Sequence, residues 1–173
     1  MMQFGIISVL PEILESLNFG ITGRALKQNK IKLNCWNPRD WAKPPYREVD
    51  DKPYGGGPGM VLTYQPLQKA ILHAKKVMPE NSQVIYLSPQ GKELKQSDFV
   101  KIAAQKTPLI FLAGRYEGID ERINETYVDQ EWSLGDFVLS GGELAAMVYI
   151  DAITRLLPGC LGHQASASQD SFM

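Results

Sequence analysis

Glycine, apolar and carboxylate residues are concentrated in one segment, WSLGDFVLSGGEL, which spans residues 132–144. Glycine lets the backbone approach a ligand closely, and Leu134 and Val138 would supply apolar walls. The glycine spacing matches neither the dinucleotide fingerprint G-x-G-x-x-G nor the phosphate loop G-x-x-x-x-G-K-[ST]. A phosphate site also favours a nearby cation, but this segment contains Asp136 and Glu143 and no Lys or Arg. The segment therefore predicts a binding loop for a neutral or cationic ligand.

Two more unusual loops follow predicted strands, YLSPQGKEL at residues 86–94 and LAGRYEGIDER at residues 112–122. In open α/β sheets, ligands bind outside the carboxyl ends of the strands, so these loops can share one pocket. Each loop also has a purely structural interpretation, because Pro89 and Gly91 suit an ordinary turn, and Gly114 suits the end of a strand. The occurrence of three such loops together favours a binding site.

The elements that would position these loops alternate between strand and helix. Apolar runs predict strands at residues 3–10, 31–36, 83–88 and 108–115, and helical patterns predict helices at residues 11–18, 23–30, 65–78, 95–106 and 119–127. Such alternation favours an α/β fold with a mostly parallel sheet flanked by helices.

Two segments stand apart from this alternation. Residues 37–60 are rich in Pro and Gly and predict a long irregular loop, a feature that is usually functional or disordered. Residues 143–157 are apolar on nearly every face, which predicts a helix buried in the core or against another chain.

Composition indicates a soluble protein of about one domain, since 44% of the 173 residues are hydrophobic and the net charge is −1. Charge is uneven, however. Residues 24–52 contain eight basic and four acidic residues, whereas residues 110–151 contain two arginines and nine carboxylates. A basic segment of this kind can meet an anionic polymer, although solvated surface charge is the common alternative.

Cysteine usage and the apolar runs point to a cytoplasmic protein. Cys35 and Cys160 are far apart and have no metal-ligand spacing, so neither a disulfide framework nor a zinc site is indicated. The first residues lack the charged leader and cleavage site of a signal peptide, and no run approaches the roughly 20 apolar residues of a membrane span.

Several long motifs resemble one known family. The segments YLSPQGKEL, GRYEGIDER, EWSLGDFVLSGGEL and LGHQASASQDSF, with RDWAK and VDDKPYGGGPGM upstream, closely resemble the bacterial tRNA (guanine-37-N1)-methyltransferases, the TrmD family of the SPOUT class. The resemblance runs from the first strand to Phe172. It implies S-adenosylmethionine as cofactor, tRNA as substrate and a homodimer with the active site at the subunit interface. It also implies the SPOUT methyltransferase fold with its deep trefoil knot, a feature that base rates alone would not suggest.

The resemblance implies a cofactor pocket made by the three loops described above. By motif match its residues are Leu87, Ser88, Pro89, Gly114, Tyr116, Glu117, Gly118, Ser133, Leu134, Gly135, Asp136, Phe137, Val138, Leu139, Gly141 and Gly142.

The same resemblance assigns the chemistry to Asp170 as general base and to Arg155 as the cation that stabilises guanine O6. Magnesium is a further expected participant, with Glu117 and Asp170 as its candidate ligands. From the residues alone, the favoured interpretation of Asp170 is a solvated carboxylate or a helix N-cap. The structural alternative for Arg155 is an ion pair with Asp151, one helical turn earlier.

Asp51, Gly59 and Ser166 are the expected contacts to the guanine, and His163 either joins them or caps the preceding turn. The segment YGGGPGM is a candidate RNA contact, with a phosphate nest or an ordinary turn as its alternatives. The cations expected to contact tRNA phosphates are Arg24, Lys27, Arg39, Lys43, Arg47 and Lys52.

We therefore expect a catalytic domain at residues 1–160 and the start of an interdomain linker at residues 161–173. Family members continue into a helical C-terminal domain that binds tRNA, which is absent from this chain. The chain alone is accordingly expected to bind S-adenosylmethionine but to methylate tRNA poorly. The alternatives are another SPOUT-class RNA methyltransferase and a noncatalytic RNA-binding module, and a nucleotide hydrolase is disfavoured because no G-K-[ST] is present.

Overall fold

The computed structural model describes residues 1–161 and 171–172, which form a parallel sheet between two layers of helices. The strands are β1 (Met2–Ile7), β2 (Ile31–Trp36), β3 (Asp50–Asp51), β4 (Val61–Leu62), β5 (Gln83–Glu93), β6 (Leu109–Ala113) and β7 (Gln130–Ser133). The α-helices are α1 (Gly20–Lys27), α2 (Tyr64–Val77), α3 (Gln96–Gln105), α4 (Glu121–Tyr127) and α5 (Glu143–Thr154). Short 3-10 helices occupy Pro11–Asn18 and Pro38–Trp41.

The main sheet has the strand order β2-β1-β6-β5-β7, and its neighbouring strands all pair in parallel. Parallel strands are normally covered by helices on both faces and are therefore apolar throughout. The central strand β6, with sequence LIFLA, has all its residues buried, as this rule requires. The predicted mostly parallel α/β fold is confirmed.

Side chains of the central strands alternate between two cores. Phe111 packs with Tyr149 of α5 in one core, whereas its neighbour Leu112 packs with Ile71 of α2 in the other. This alternation follows from the two-residue period of a strand. The sheet is thereby fixed from both sides, and its carboxyl ends share one edge.

Several elements differ from the sequence prediction. Strand β7 was not expected, and the predicted irregular loop at residues 37–60 contains a 3-10 helix and β3, which pairs antiparallel with β4. The Asn37 side chain accepts a hydrogen bond from the Arg39 backbone N–H at 3.0 Å, which starts that 3-10 helix. Residues 11–18 form a 3-10 helix, and α5 ends at Thr154. Across residues 1–161 and 171–172, no helix is long and apolar enough to span a membrane.

Helix α3 ends on a residue that is strained for its type. Lys106 has φ 53° and ψ 30°, the left-handed region, and its backbone N–H donates to the carbonyl of Ile102 at 3.0 Å. Glycine adopts this conformation without the Cβ penalty. We expect Lys106→Gly to raise the free energy of unfolding by about 0.5–1 kcal/mol, measured by urea denaturation.

Lys101 provides the matched control, because it is also an exposed lysine but lies within α3. Lys101→Gly should lower the free energy of unfolding by about 1 kcal/mol. Equal effects of the two substitutions would contradict the assigned helix end.

Candidate functional site

The three predicted loops surround a single cavity of about 600 Å³ at the carboxyl ends of β5, β6 and β7. Every residue named above for the cofactor pocket lines this cavity except Asp136, which is exposed. The cavity also has walls that the motif match did not name: Tyr86, Gln90, Arg115, Ile119, Glu121, Asn124, Glu131, Trp132, Ser140 and Ala145. Its position at the strand ends is where open α/β sheets bind ligands.

Two glycines set the width of this cavity. A Cβ on Gly142 would lie 2.8 Å from the Ala113 Cα, and the Gly142 N–H donates to the Gly114 carbonyl at 2.9 Å. Gly135 has φ 142°, which side chains rarely adopt, and its N–H donates to the Ser133 Oγ at 3.0 Å. Backbone therefore forms part of the cavity wall, which leaves room for a flat group.

The charge of the cavity is mainly negative. Glu117, Glu121 and Glu131 line it, and among the described residues the one lining cation is Arg115. Arg115 donates from Nε to the Glu143 carboxylate at 3.1 Å, which offsets its charge. The cavity therefore suits a ligand with positive charge better than a phosphate.

A tyrosine on β5 closes one side of the cavity. A Cβ on Gly114 would approach the Tyr86 ring at 3.0 Å, so the glycine makes room for this side chain. Burial raises the pKa of Tyr86 to about 12, and the nearby Glu131 and Glu121 act in the same direction. Tyr86 is therefore neutral at physiological pH, and its side chain forms part of the cavity wall.

A second groove of about 840 Å³ lies on the other side of residues 117–120. The loop before α2 joins residues 117–120 in separating the groove from the first cavity. The Glu117 N–H donates to the Met60 carbonyl at 2.9 Å, and the Leu62 N–H donates to the Gly118 carbonyl at 3.0 Å. Aromatic and charged side chains share its lining: Trp41, Tyr46, Tyr54, Tyr64, Lys43, Lys52, Lys69, Arg122, Glu48, Asp50, Asp51 and Asp120. Tyr46 and Tyr54 are almost fully exposed.

Arg122 connects the aromatic side chains of this groove. Its guanidinium lies 4.7 Å from the centroid of the Tyr64 ring and 5.9 Å from that of Tyr54. Its Nε and Nη2 donate to the two carboxylate oxygens of Asp120 at 2.9 and 2.6 Å. The same carboxylate caps α4 by accepting from the Arg122 backbone N–H at 3.1 Å.

These hydrogen bonds from Arg122 hold the pKa of Asp120 below its ordinary value. A lowered folded-state pKa gives stability that is present above the unfolded pKa of about 3.9 and is lost as the pH falls through the folded pKa. We expect Asp120→Asn to lower the free energy of unfolding by about 1 kcal/mol at pH 7, with the difference shrinking below pH 4. Urea denaturation across this pH range measures it.

Asp40 is the matched control, because its ion pair with Arg47 is long, at 3.9 Å, and both side chains are exposed. Asp40→Asn should change the free energy of unfolding by less than about 0.5 kcal/mol. If the loss of unfolding free energy in Asp120→Asn did not depend on pH, the negative charge of Asp120 would not contribute to stability.

The other predicted residues are only partly brought together. Asp51 lies on β3 at the second groove, and a Cβ on Gly59 would collide with the Glu117 side chain. Gly59 therefore lies directly against Glu117, which lines the first cavity. Arg155 follows the last residue of α5, about 15 Å along the helix from Ala145 in the cavity wall. His163, Ser166 and Asp170 lie outside the described residues.

Within residues 1–161 and 171–172, no group of three or more His, Cys, Asp or Glu side chains is arranged to hold a metal ion. Of the expected phosphate contacts, Arg24 is exposed and also donates from Nη2 to the Cys160 carbonyl at 3.0 Å. This hydrogen bond ties α1 to the turn after α5, a contact that the charge pattern alone could not predict.

Comparisons with known proteins agree on one family. The family model described as tRNA (Guanine-1)-methyltransferase TrmD matches residues 2–173. A tRNA (guanine-N(1)-)-methyltransferase of Legionella pneumophila, strain Philadelphia 1, is 64% identical over 172 residues, which cover 99% of this chain and 69% of the relative. The protein of the same description from Coxiella burnetii, strain RSA 493, is 60% identical over 168 residues, covering 97% and 68% respectively.

A solved structure agrees with these sequences. The crystal structure of tRNA (m1G37) methyltransferase from Aquifex aeolicus matches with a TM-score of 0.83 and 37% identity, over 94% of this chain and 72% of that one.

Proposed function

Because this chain belongs to the tRNA (guanine-1)-methyltransferase TrmD family, we propose that it transfers a methyl group from S-adenosylmethionine to N1 of guanine 37 in tRNA. The observation that carries the proposal is the single cavity lined by all three motif loops at the carboxyl edge of the sheet. Motif residues that are far apart in the chain line one cavity of a size that suits a small ligand, which supports a shared binding site.

The cavity fits S-adenosylmethionine in shape and charge. The narrow backbone wall at Gly142 and Gly135 suits the flat adenine, and the carboxylates of Glu117 and Glu131 suit a cationic sulfonium. When bound, the cofactor supplies an electrophilic methyl group. The protein residues bind and orient it, exclude water and leave the methyl facing the RNA.

The second groove is the proposed entrance for the anticodon loop. N1 lies on the Watson–Crick edge of guanine, so the base must leave its stack to be reached. Exposed Tyr46 and Tyr54 can stack on unpaired bases, and Lys43 and Lys52 can contact phosphates. Asp51, Gly59 and Ser166 remain the proposed contacts to the guanine, and Gly59 adjoins the cofactor cavity through Glu117.

Asp170 is the proposed general base for the N1 proton, and Arg155 the proposed donor to O6. A free aspartate has a pKa near 3.9, which is low for this role. Charge stabilisation at O6 would acidify the N1–H and lessen the mismatch. Asp170 and Arg155 thus act together in removing the N1 proton.

The homodimer is the proposed source of Arg155 at the active site. Within one chain, Arg155 lies about 15 Å along α5 from Ala145 in the cavity wall. The same helix exposes Leu144 and Val148, apolar side chains that suit a contact with a second copy. A partner subunit packed there can bring its own Arg155 to the cavity. The deep trefoil knot also belongs to this proposal, supported by the fold match.

Magnesium remains part of the proposal through Glu117 and Asp170. A divalent cation held there would stabilise negative charge on O6 by Lewis-acid polarisation. Oxygen ligands suit this ion.

We also propose the domain organisation and location given by the resemblance. Residues 1–160 form the catalytic domain and residues 161–173 begin a linker to a C-terminal tRNA-binding domain. The enzyme acts in the cytoplasm, where tRNA is modified.

The direct test uses labelled S-adenosylmethionine, unmodified tRNA and the full-length protein. We expect label in the tRNA, and nucleoside analysis should recover it as 1-methylguanosine. Another methylated guanosine would contradict the assigned atom, and cofactor binding without label in RNA would favour a noncatalytic module.

A further inference from the structure

Glu143, the first residue of α5, carries a fully buried carboxylate and is 1% exposed. Burying a charge is costly unless it is paired and hydrogen-bonded. Both oxygens of Glu143 have partners: Ser8 donates from Oγ to Oε1 at 2.7 Å, and Arg115 donates from Nε to Oε2 at 3.1 Å. Glu143 therefore ties the loop after β1 and the loop after β6 to the start of α5.

The backbone beside this ion pair is shaped to admit it. Gly141 forms a bridge with Arg115, and a Cβ on Gly141 would overlap the Arg115 side chain and lie 2.5 Å from the Glu143 Oε2. Glycine at this position thus reserves the space in which the two side chains meet. The ion pair and the Gly142 to Gly114 hydrogen bond hold two walls of the cofactor cavity at a fixed separation.

The two terminal nitrogens of Arg115 remain available to bind a ligand. Its Nε is engaged by Glu143, and within residues 1–161 and 171–172 its two terminal nitrogens have no hydrogen-bond partner. Its side chain is 19% exposed and lines the cavity, where the other charged side chains among the described residues are carboxylates. A guanidinium with a fixed Nε presents its remaining N–H groups in a defined direction, the arrangement suited to a carboxylate.

S-adenosylmethionine carries a carboxylate on its methionine part as well as two positive groups. The carboxylates of the cavity favour the positive groups but oppose the negative one, so that group needs a cation. We propose that Glu143 is a positioning residue which orients Arg115 to bind the α-carboxylate of S-adenosylmethionine. Glu143 also offsets the positive charge of Arg115, so that Arg115 repels the cationic sulfonium less strongly. This inference rests on the proposed cofactor.

The test compares S-adenosylmethionine with decarboxylated S-adenosylmethionine, which lacks only the carboxylate. Calorimetry gives the dissociation constant of each ligand for the wild-type chain and for Glu143→Gln, whose amide would oppose the Arg115 Nε–H donor. We expect Glu143→Gln to weaken binding of S-adenosylmethionine by about 10-fold to 100-fold, and binding of the decarboxylated ligand by less than about threefold. Selective loss of this kind separates orientation of Arg115 from general damage to the fold.

Two milder variants keep the test decisive if Glu143→Gln folds poorly. Ser8→Ala removes one hydrogen bond from Glu143, and Arg115→Lys keeps the charge but loses the planar fork. Both should reduce the preference for S-adenosylmethionine over the decarboxylated ligand. Exposed Glu80 follows α2 at the opposite edge of the sheet, so Glu80→Gln is the control and should leave both constants unchanged.

Equal weakening of both ligands, or none, in folded variants would overturn the inference while leaving the cofactor assignment intact. Failure of the wild-type chain to bind S-adenosylmethionine at all would instead overturn the proposed function, and this inference with it.

Discussion

Gly142→Val should abolish cofactor binding, raising the dissociation constant for S-adenosylmethionine by more than about 100-fold. A Cβ at this position would lie 2.8 Å from the Ala113 Cα and 3.2 Å from the Gly114 nitrogen. Both are backbone atoms, at the end of β6 and the start of the loop after it, and cannot move aside as a flexible side chain would. Valine would therefore push apart the two cavity walls that the Gly142 to Gly114 hydrogen bond holds together. Calorimetry with the cofactor measures the effect.

Gly20→Ala is the control for this substitution. Gly20 has φ 61°, and a Cβ there would meet nothing within 4 Å, so the change adds backbone strain without crowding. It should leave the dissociation constant within about twofold of the wild-type value, while costing about 1 kcal/mol of stability. If Gly142→Val folds and binds the cofactor normally, the cavity described above is not the cofactor site.

Asp170→Asn should lower kcat for methyl transfer by about 10²–10⁴-fold, because the amide cannot accept the N1 proton. Asn has nearly the same size and keeps one acceptor oxygen, so binding of S-adenosylmethionine should change by less than about twofold. Single-turnover methyl transfer in the full-length protein measures the chemical step, and calorimetry measures the cofactor affinity.

Ser168→Ala serves as the control, because it alters the same segment without removing a carboxylate. It should retain near-normal turnover. Near-normal turnover of Asp170→Asn as well would contradict its assignment as the base.

The cofactor loops could be predicted from sequence because each carries a long motif and follows an apolar run. Their meeting around one cavity follows from parallel strands, whose carboxyl ends share one edge of the sheet. Asp136 was assigned with its neighbours but is exposed. The hydrogen bonds between Ser133 and Gly135 turn the loop tightly just before it.

Strand β7 was missed because its sequence, QEWS, is short and mostly polar. It lies at the edge of the sheet beside β5, and only Trp132 and Ser133 are buried. An edge strand has fewer apolar contacts and therefore a weak periodic signal. Polar residues are typical of edge strands, so the composition of β7 does not indicate a strand.

The network of Ser8, Glu143 and Arg115 could not be predicted either. Glu143 lies 135 residues from Ser8 and 28 from Arg115, and its motif position suggests only a helix start. The signal that reveals it is tertiary: a carboxylate inside the core has to be paired. Asp170 and Ser166 depend on the family motif, since the described residues do not include them.

Changing the target base tests the assigned methyl acceptor most directly. Full-length protein, labelled S-adenosylmethionine and two tRNAs that differ only in guanine or adenine at position 37 give the comparison. The predicted result is label in the guanine tRNA, recovered as 1-methylguanosine, and none above background in the adenine tRNA. Equal labelling of both tRNAs would contradict the assignment of guanine 37 as the methyl acceptor.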